Sequence, residues 1–240
     1  MNNQLIETEL QRAILNKLMF SNGLRYSQLH EVTDNHDLFN YHLRFLLSKK
    51  QIIKENNLYV LTEEGRKIVG YMEEDGQMQG KFKIGIFIDI IRKKGKIYQQ
   101  LLHKRLKHPH YGYIGAVTCK VKWGESIEDN LKRELMEEVG IVPEKWSIVG
   151  VVREFFLNEN KEKVCDGIFF VIVVEEFDGE PELKSIEGEY FWYDIDKILG
   201  LDKIFREGFE NGLPHIKKFL KDKENYKPYI MENTSDPMKY

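Results

Sequence analysis

Hydrophobic positions change period along the chain. Between residues 5 and 20, Ile6, Leu10, Ala13, Ile14 and Leu18 recur at spacings of three and four. That spacing predicts one apolar helix face, ended by Ser21-Asn22-Gly23. A short helix is expected over residues 27–32 with Ser27 as its N-cap. A third is expected over about residues 36–49, burying Phe39, Leu43, Leu46 and Leu47 and exposing Asn40, Tyr41, Arg44 and Lys49. Apolar runs at 52–54 and 58–61 flank Glu55-Asn56-Asn57 and read as a two-stranded hairpin. Thr62 caps a last helix to about residue 72. Residues 72–80, MEEDGQMQG, carry linker chemistry.

Strand-like runs dominate after the linker. Residues 82–92, FKIGIFIDIIR, predict a buried strand, and 97–103 and 116–121 predict two more. A helix starts at Ser126, with Asp129 three residues on, and ends at Gly140 as the residue after the helix. Long strands over 146–157 and 164–177 are joined by a turn at 158–161. Residues 191–193 form a further strand, and 202–221 a closing helix. The expected organisation is a small helical domain at 1–75, a linker at 76–81, a larger domain at 82–221 and a tail at 222–240. Mixed strands with a helix on each side make the larger domain α+β, an α/β/α sandwich.

Composition narrows the function classes. Of 240 residues, 42% are apolar and 31% charged, enough to bury a core and remain soluble. Lys and Arg number 36 against 39 Asp and Glu, a formal charge of −3, which argues against a polyanion coat. The longest apolar run, residues 168–174, is far short of a membrane span, and no signal peptide pattern opens the chain. Two cysteines, Cys119 and Cys165, show neither a disulfide framework nor metal spacing. A reducing, cytoplasmic setting without membrane attachment is expected.

Charge is uneven locally. Residues 1–78 hold nine Lys/Arg and eleven Asp/Glu. Residues 81–107 hold nine basic residues and one acid, Asp89, a local balance of +8. Some of these cations are turn and edge-strand residues, which discourage strand pairing. Arg105, beside the loop at 106–115, is the preferred phosphate contact. In that loop His108, Pro109, His110, Tyr111 and Tyr113 offer either base stacking or loop packing. Phe155, Phe156 and Trp192 read as core.

The helix after Ser126 contains Arg133-Glu134-Leu135-Met136-Glu137-Glu138-Val139-Gly140-Ile141. Glu134, Glu137 and Glu138 share one face at i, i+3 and i+4. Three anions so placed suit a hard divalent cation, Mg²⁺ or Mn²⁺, or else form a solvated acidic face. With Glu125 seven residues before Arg133, the stretch resembles the Nudix box, G-x5-E-x7-R-E-U-x-E-E-x-G-U with U apolar. The resemblance covers about residues 81–221. It implies a hydrolase that cleaves the phosphoanhydride of a nucleoside diphosphate linked to a group X. It further implies Glu134, Glu137 and Glu138 as ligands of Mg²⁺, joined by a backbone carbonyl of Thr118. One box glutamate, or Glu187 or Glu189 from a later loop, would act as general base. Arg133 would orient a box glutamate, and Glu125 would support the metal shell or hold the loop. The sequence departs from the box at its first glycine, where Thr118-Cys119 stands. Cys119 has no nearby His to make a reactive thiolate.

The first domain resembles a winged helix-turn-helix of the ArsR/MarR-like regulators. The resemblance rests on FNYHL at 39–43, LLSKKQII at 46–53 and YVLTEEGR at 59–66. It implies a recognition helix in which Asn40, Tyr41 and Arg44 meet double-stranded DNA as part of a homodimer. The acidic balance of this region favours instead a dimerisation or protein-contact module. Two function classes follow: a working hydrolase with an appended winged helix, or a DNA-binding regulator that senses a nucleotide metabolite.

Overall fold

The computed structural model describes residues 8–76, 82–107, 110–157, 160–186 and 188–235. The chain divides into two compact units, Met1–Gly80 and Lys81–Tyr240. Most of the expected linker, together with His108, Pro109, Glu187 and half of the expected turn at 158–161, lies outside the described residues.

The first unit runs α1 (Glu9–Met19), α2 (Tyr26–His30), α3 (His36–Ser48), β1 (Ile52–Glu55), β2 (Leu58–Leu61) and α4 (Glu63–Val69). Side-chain oxygens of Thr8, Asn35 and Thr62 accept the first free amides of α1, α3 and α4. Asn56 and Asn57 both take positive φ, 47° and 63°, as a two-residue hairpin turn requires. The second helix starts earlier than expected, with Arg25 rather than Ser27 at its N-cap. Gln28 reaches back to accept the Arg25 amide at 2.8 Å, which fixes that start. The apolar stripes of the helices meet around Phe39, Ile14, Leu29, Leu46 and Ile52. His42 joins them unexpectedly, buried with its Nδ1 3.1 Å from Gln11 Nε2.

Gly65 sits where α4 touches the chain entering the hairpin. A Cβ there would collide with the Gln51 carbonyl oxygen. Backbone cannot swing aside as a side chain can, so Gly65→Ala is expected to destabilise the first unit by about 2 kcal/mol. Urea unfolding followed by circular dichroism checks this.

The second unit comprises β3 (Phe82–Lys94), β4 (Ile97–Arg105), β5 (Ile114–Gly115), β6 (Val117–Lys120), α5 (Ile127–Val139), β7 (Val142–Leu157), β8 (Lys163–Asp178), β9 (Gly188–Asp194), α6 (Arg206–Lys221) and β10 (Tyr229–Ser235). The strands form one mixed sheet in the order β10-β7-β8-β3-β4-β5, with β6 also on β3 and β9 also on β4. The pairs β3–β8 and β10–β7 are parallel, and the other pairs are antiparallel. Strand alternation splits the core between two faces. Ile86, Ile88, Ile90, Ile172 and Val174 pack against Leu131, Leu135 and Val139 of α5. Ile91, Val152, Val171 and Val173 pack against Phe209, Leu213 and Ile216 of α6. The result is an α/β/α sandwich with a mixed sheet. No helix among the described residues is long and apolar enough to cross a membrane.

Two expectations are corrected. The closing helix begins at Arg206, not 202, because residues 203–205 are tied to β5. Ile114 N–H donates to Lys203 O at 2.8 Å, and Phe205 N–H to Ile114 O at 3.1 Å. The segment expected as a tail supplies β10, parallel to β7. The Tyr229 ring lies over Gly150, where a Cβ would strike it, and stacks on His215 at 3.9 Å. The polar run Glu232-Asn233-Thr234-Ser235 hid this strand from pattern reading.

Asp89 is buried on the α6 face, accepting from Gln100 Nε2 at 2.5 Å. Burial pushes its pKa up to about 7, far above an unfolded carboxylate, against the smaller pull of the Gln100 bond. A raised acid pKa means the folded state holds the proton more tightly, so stability falls as pH rises from about 4 to 7. Asp89→Asn removes that penalty. Its thermal midpoint is expected to exceed that of the parent at pH 8, with the gap closing as pH falls toward 4.

Candidate active site

The acidic helix is fixed at both ends. Ser126 Oγ accepts the Asp129 amide at 3.1 Å and donates to Asp129 Oδ2 at 2.7 Å. Gly140 ends the helix in the left-handed region at φ 70°, open to glycine without strain. Leu131, Leu135 and Val139 turn into the core, which leaves Arg133, Glu134, Glu137 and Glu138 on the outer side.

Arg133 is the hub of this surface. Its Nε and Nη2 donate to the two Glu125 oxygens at 2.9 and 2.8 Å, a bidentate pair. Its Nη1 donates to Glu134 at 2.7 Å and to Glu137 at 3.0 Å, and Nη2 also reaches Asn130 Oδ1 at 3.1 Å. These hydrogen bonds, Glu125 first and then Glu134, raise the Arg133 pKa further above its ordinary value. The same bond to Arg133 holds the Glu125 carboxyl below its usual range. Glu138 turns the other way and accepts the Tyr190 hydroxyl at 2.5 Å. The acids therefore divide into an arginine-held set and a tyrosine-held one.

Asn130 and Tyr190 did not stand out in the sequence. Asn130 is fully buried on the core side of α5. Its Nδ2 donates to Cys119 Sγ at 3.3 Å, and its Oδ1 accepts the Lys122 amide at 3.0 Å. It ties the loop before the helix to the helix itself. A polar residue in an apolar register was the available signal. Tyr190 was hidden at the head of an aromatic strand run.

Cys119 is buried in the core beneath α5. Burial first, and the nearby Glu134 charge second, push its thiol up to about 12. It holds its proton at neutral pH and is no nucleophile. Thr118 lies in β6 in register with Phe87, its side chain exposed.

The expected metal shell is not gathered. Among the described residues, no three His, Cys, Asp or Glu side chains converge as a cage. The donor chemistry nevertheless fits a hard cation: three carboxylates within two helical turns, with Glu137 half in solvent. Binding would draw Glu134 and Glu137 away from Arg133.

Arg105 is placed on the relevant side of the sheet. Along β4 it alternates with His103 and Leu101, and His103 stacks on Tyr190 at 4.7 Å. Glu189 is displaced from the role expected of it. It neighbours Tyr190 along β9, so alternation sends it to the opposite face, where Lys104 lies 3.5 Å away. In the loop beside Arg105, His110 and Tyr113 pack on Phe205, with ring centroids 5.3 and 5.6 Å apart, whereas Tyr111 is exposed. Trp192 packs at the core edge with the Arg92 guanidinium 4.1 Å from its ring. Phe155, expected as core, is half-exposed, with Lys163 and Arg153 against its ring; the Phe156 side chain lies outside the described positions.

In the first unit, α3 exposes Tyr41 and Arg44 but not Asn40. Asn40 Oδ1 accepts the Tyr26 hydroxyl at 3.0 Å, tying α3 to α2. The expected reading pair of Asn40 and Arg44 is thereby corrected to Tyr41 and Arg44.

A family model described as the NUDIX domain matches residues 81–214. The uncharacterized Nudix hydrolase YvcI of Bacillus subtilis is 30% identical over 96 residues, 40% of this chain and 60% of that protein. An ADP-ribose pyrophosphatase of Methanocaldococcus jannaschii is 28% identical over 109 residues, 45% of this chain and 60% of that protein. The chain thus spans about three fifths of these curated relatives. Among solved structures, a MutT protein of Bacillus halodurans matches with TM-score 0.50 at 23% identity, over 63% of this chain and 90% of that one. The NUDIX domain of Shewanella oneidensis NrtR, solved with ADP ribose, matches with TM-score 0.51 at 13% identity, over 67% of this chain and 99% of that one. At these identities the structural likeness is one of fold.

Proposed function

Because the chain belongs to the Nudix family, we propose that its second unit is a Mg²⁺-dependent pyrophosphohydrolase acting on a nucleoside diphosphate linked to X, of the ADP-ribose or nucleotide-sugar class. The observation that carries this reading is the division of the box acids between Arg133 and Tyr190. It keeps four carboxylates ionised and close on one surface, where unpaired anions would repel. The ADP-ribose pyrophosphatase among the relatives supports the substrate class.

Glu134, Glu137 and Glu138 would hold the metal, and Mn²⁺ suits the same oxygens. When bound, the ion supplies Lewis-acid polarisation of a phosphoryl oxygen and a lowered water pKa. Arg133 sets the carboxylate rotamers through its hydrogen bonds, and Glu125 anchors the guanidinium. Glu138 is the preferred general base, since its one protein partner on that oxygen is a hydroxyl donor rather than a cation. Arg105 would meet the substrate phosphates, and the Thr118 carbonyl is the remaining candidate ligand. Purified protein with Mg²⁺ and a panel of ADP-ribose, NADH, UDP-sugars and nucleoside triphosphates tests this. Turnover of a diphosphate-linked member is expected; no turnover of any, with metal binding intact, overturns the reading.

A second reading is a DNA-binding regulator whose Nudix unit senses such a nucleotide. The observation favouring it is the winged order of the first unit, with Tyr41 and Arg44 open on α3. Selection of genomic fragments should yield a sequence motif that Arg44→Ala weakens. A nonspecific, salt-sensitive signal unchanged in that variant defeats it.

A further inference from the structure

The two faces of the large sheet are covered unequally. On one, α6 reaches across Val149, Val152, Val171 and Val173, all buried. On the other, α5 covers Ile86, Ile88, Ile90, Ile172 and Val174 and then stops. The same strands continue beyond it. By register, Ile84 of β3 lies beside Ile168 of β8, which lies beside Arg153 of β7, and Val151 of β7 lies beside Ile230 of β10. Phe82 and Ile148 extend this apolar surface. Phe82 is 47% exposed, Ile84 48%, Ile148 37%, Ile168 36% and Ile230 86%.

This is a contiguous area across four strands and not scattered surface residues. Soluble monomers seldom leave so large an apolar patch open. We propose that this open half-face is a two-fold interface between two copies of the chain.

Two observations select a second copy as the occupant. The first is area. Covering these side chains would remove about 500 Å² from each copy, and the flanking ionic residues bring the footprint toward the ~800 Å² per partner of a stable interface. The second is charge. Arg153 rises from the patch and binds Asp166 through Nε and Nη2, at 3.1 and 2.7 Å. Glu232 stands 3.8 Å from the same guanidinium, too long for a hydrogen bond, with its side chain 67% exposed. The patch therefore carries both signs, with one acid under-used. An isologous arrangement sets each patch against its own copy, which matches the apolar rows and lets the Arg153 of one copy approach the Glu232 of the other. A nucleic acid or an anionic membrane would meet no excess of positive charge here.

The proposal does not rest on the hydrolase reading, and its test needs no turnover. Sedimentation of the full chain at about 50 µM is expected to give a dimer mass. Ile230→Glu and Ile168→Lys each place a charge in the interface at exposed positions and are expected to raise the dimer dissociation constant at least ~100-fold. Circular dichroism and thermal midpoints show whether each variant keeps its fold. Ile230→Cys, mixed with a short bifunctional thiol reagent, should cross-link two copies, whatever the other variants do. A parent protein that sediments as a monomer overturns the proposal, whether alone or with neutral lipid vesicles. So does a dimer that both charged variants leave intact.

Discussion

Glu138→Gln is expected to lower Mg²⁺-dependent turnover by about a hundredfold or more, with little change in fold. The substitution keeps shape and size but removes an anion. In the sites this chemistry uses, loss of a metal-binding charge costs several kcal/mol of transition-state stabilisation, and each ~1.4 kcal/mol is a factor of ten. Structurally the change is mild. An amide oxygen can still accept the Tyr190 hydroxyl that now donates to Glu138 at 2.5 Å. Tyr190→Phe gives the complementary result. It retains the carboxylate and the packing against His103, and removes one donor. Its loss should be about tenfold or less, with the pH profile displaced because Glu138 no longer has that hydrogen bond. Steady-state rates of both variants, read beside thermal midpoints, separate metal binding from positioning. Full activity in Glu138→Gln would sink the proposed metal site.

The chemistry of this surface was legible from residue spacing because a helix places i, i+3 and i+4 together whatever surrounds it. Glu134, Glu137 and Glu138 needed no tertiary information to be grouped. Their partners did. Tyr190 follows Glu138 by more than fifty residues and meets it only because β9 pairs with β4. Glu189 illustrates the converse. Its type and neighbourhood suited a base, yet a one-residue step along a strand reverses the face. In the first unit the apolar stripe located α3, but exposure was read from polarity alone. Asn40 is polar and still turned inward, because Tyr26 offers it a hydroxyl. β10 escaped for a related reason. Its outward side is polar or isolated, and what anchors it is one aromatic ring over a glycine.

Arg133→Ala is expected to cost turnover nearly as much as loss of a metal ligand, by about a hundredfold, although Arg133 is assigned no contact with substrate. One guanidinium holds Glu125 on the loop and Glu134 and Glu137 on the helix. Without it, three carboxylates share a surface with no cation between them, and their rotamers spread under mutual repulsion. Placement errors of that size in catalytic groups cost orders of magnitude in rate. Arg133→Lys is expected to recover little, because a single ammonium cannot make the bidentate bond to Glu125 while reaching two further acids. The distinguishing readout is metal-dependent stability. In the parent protein, an added divalent cation must compete with Arg133 for Glu134 and Glu137. In Arg133→Ala it has no such competitor, and it relieves repulsion that the parent never had. Mg²⁺ should therefore raise the thermal midpoint of Arg133→Ala more than that of the parent, while turnover stays low. An equal shift in both proteins would mean that the cation binds elsewhere.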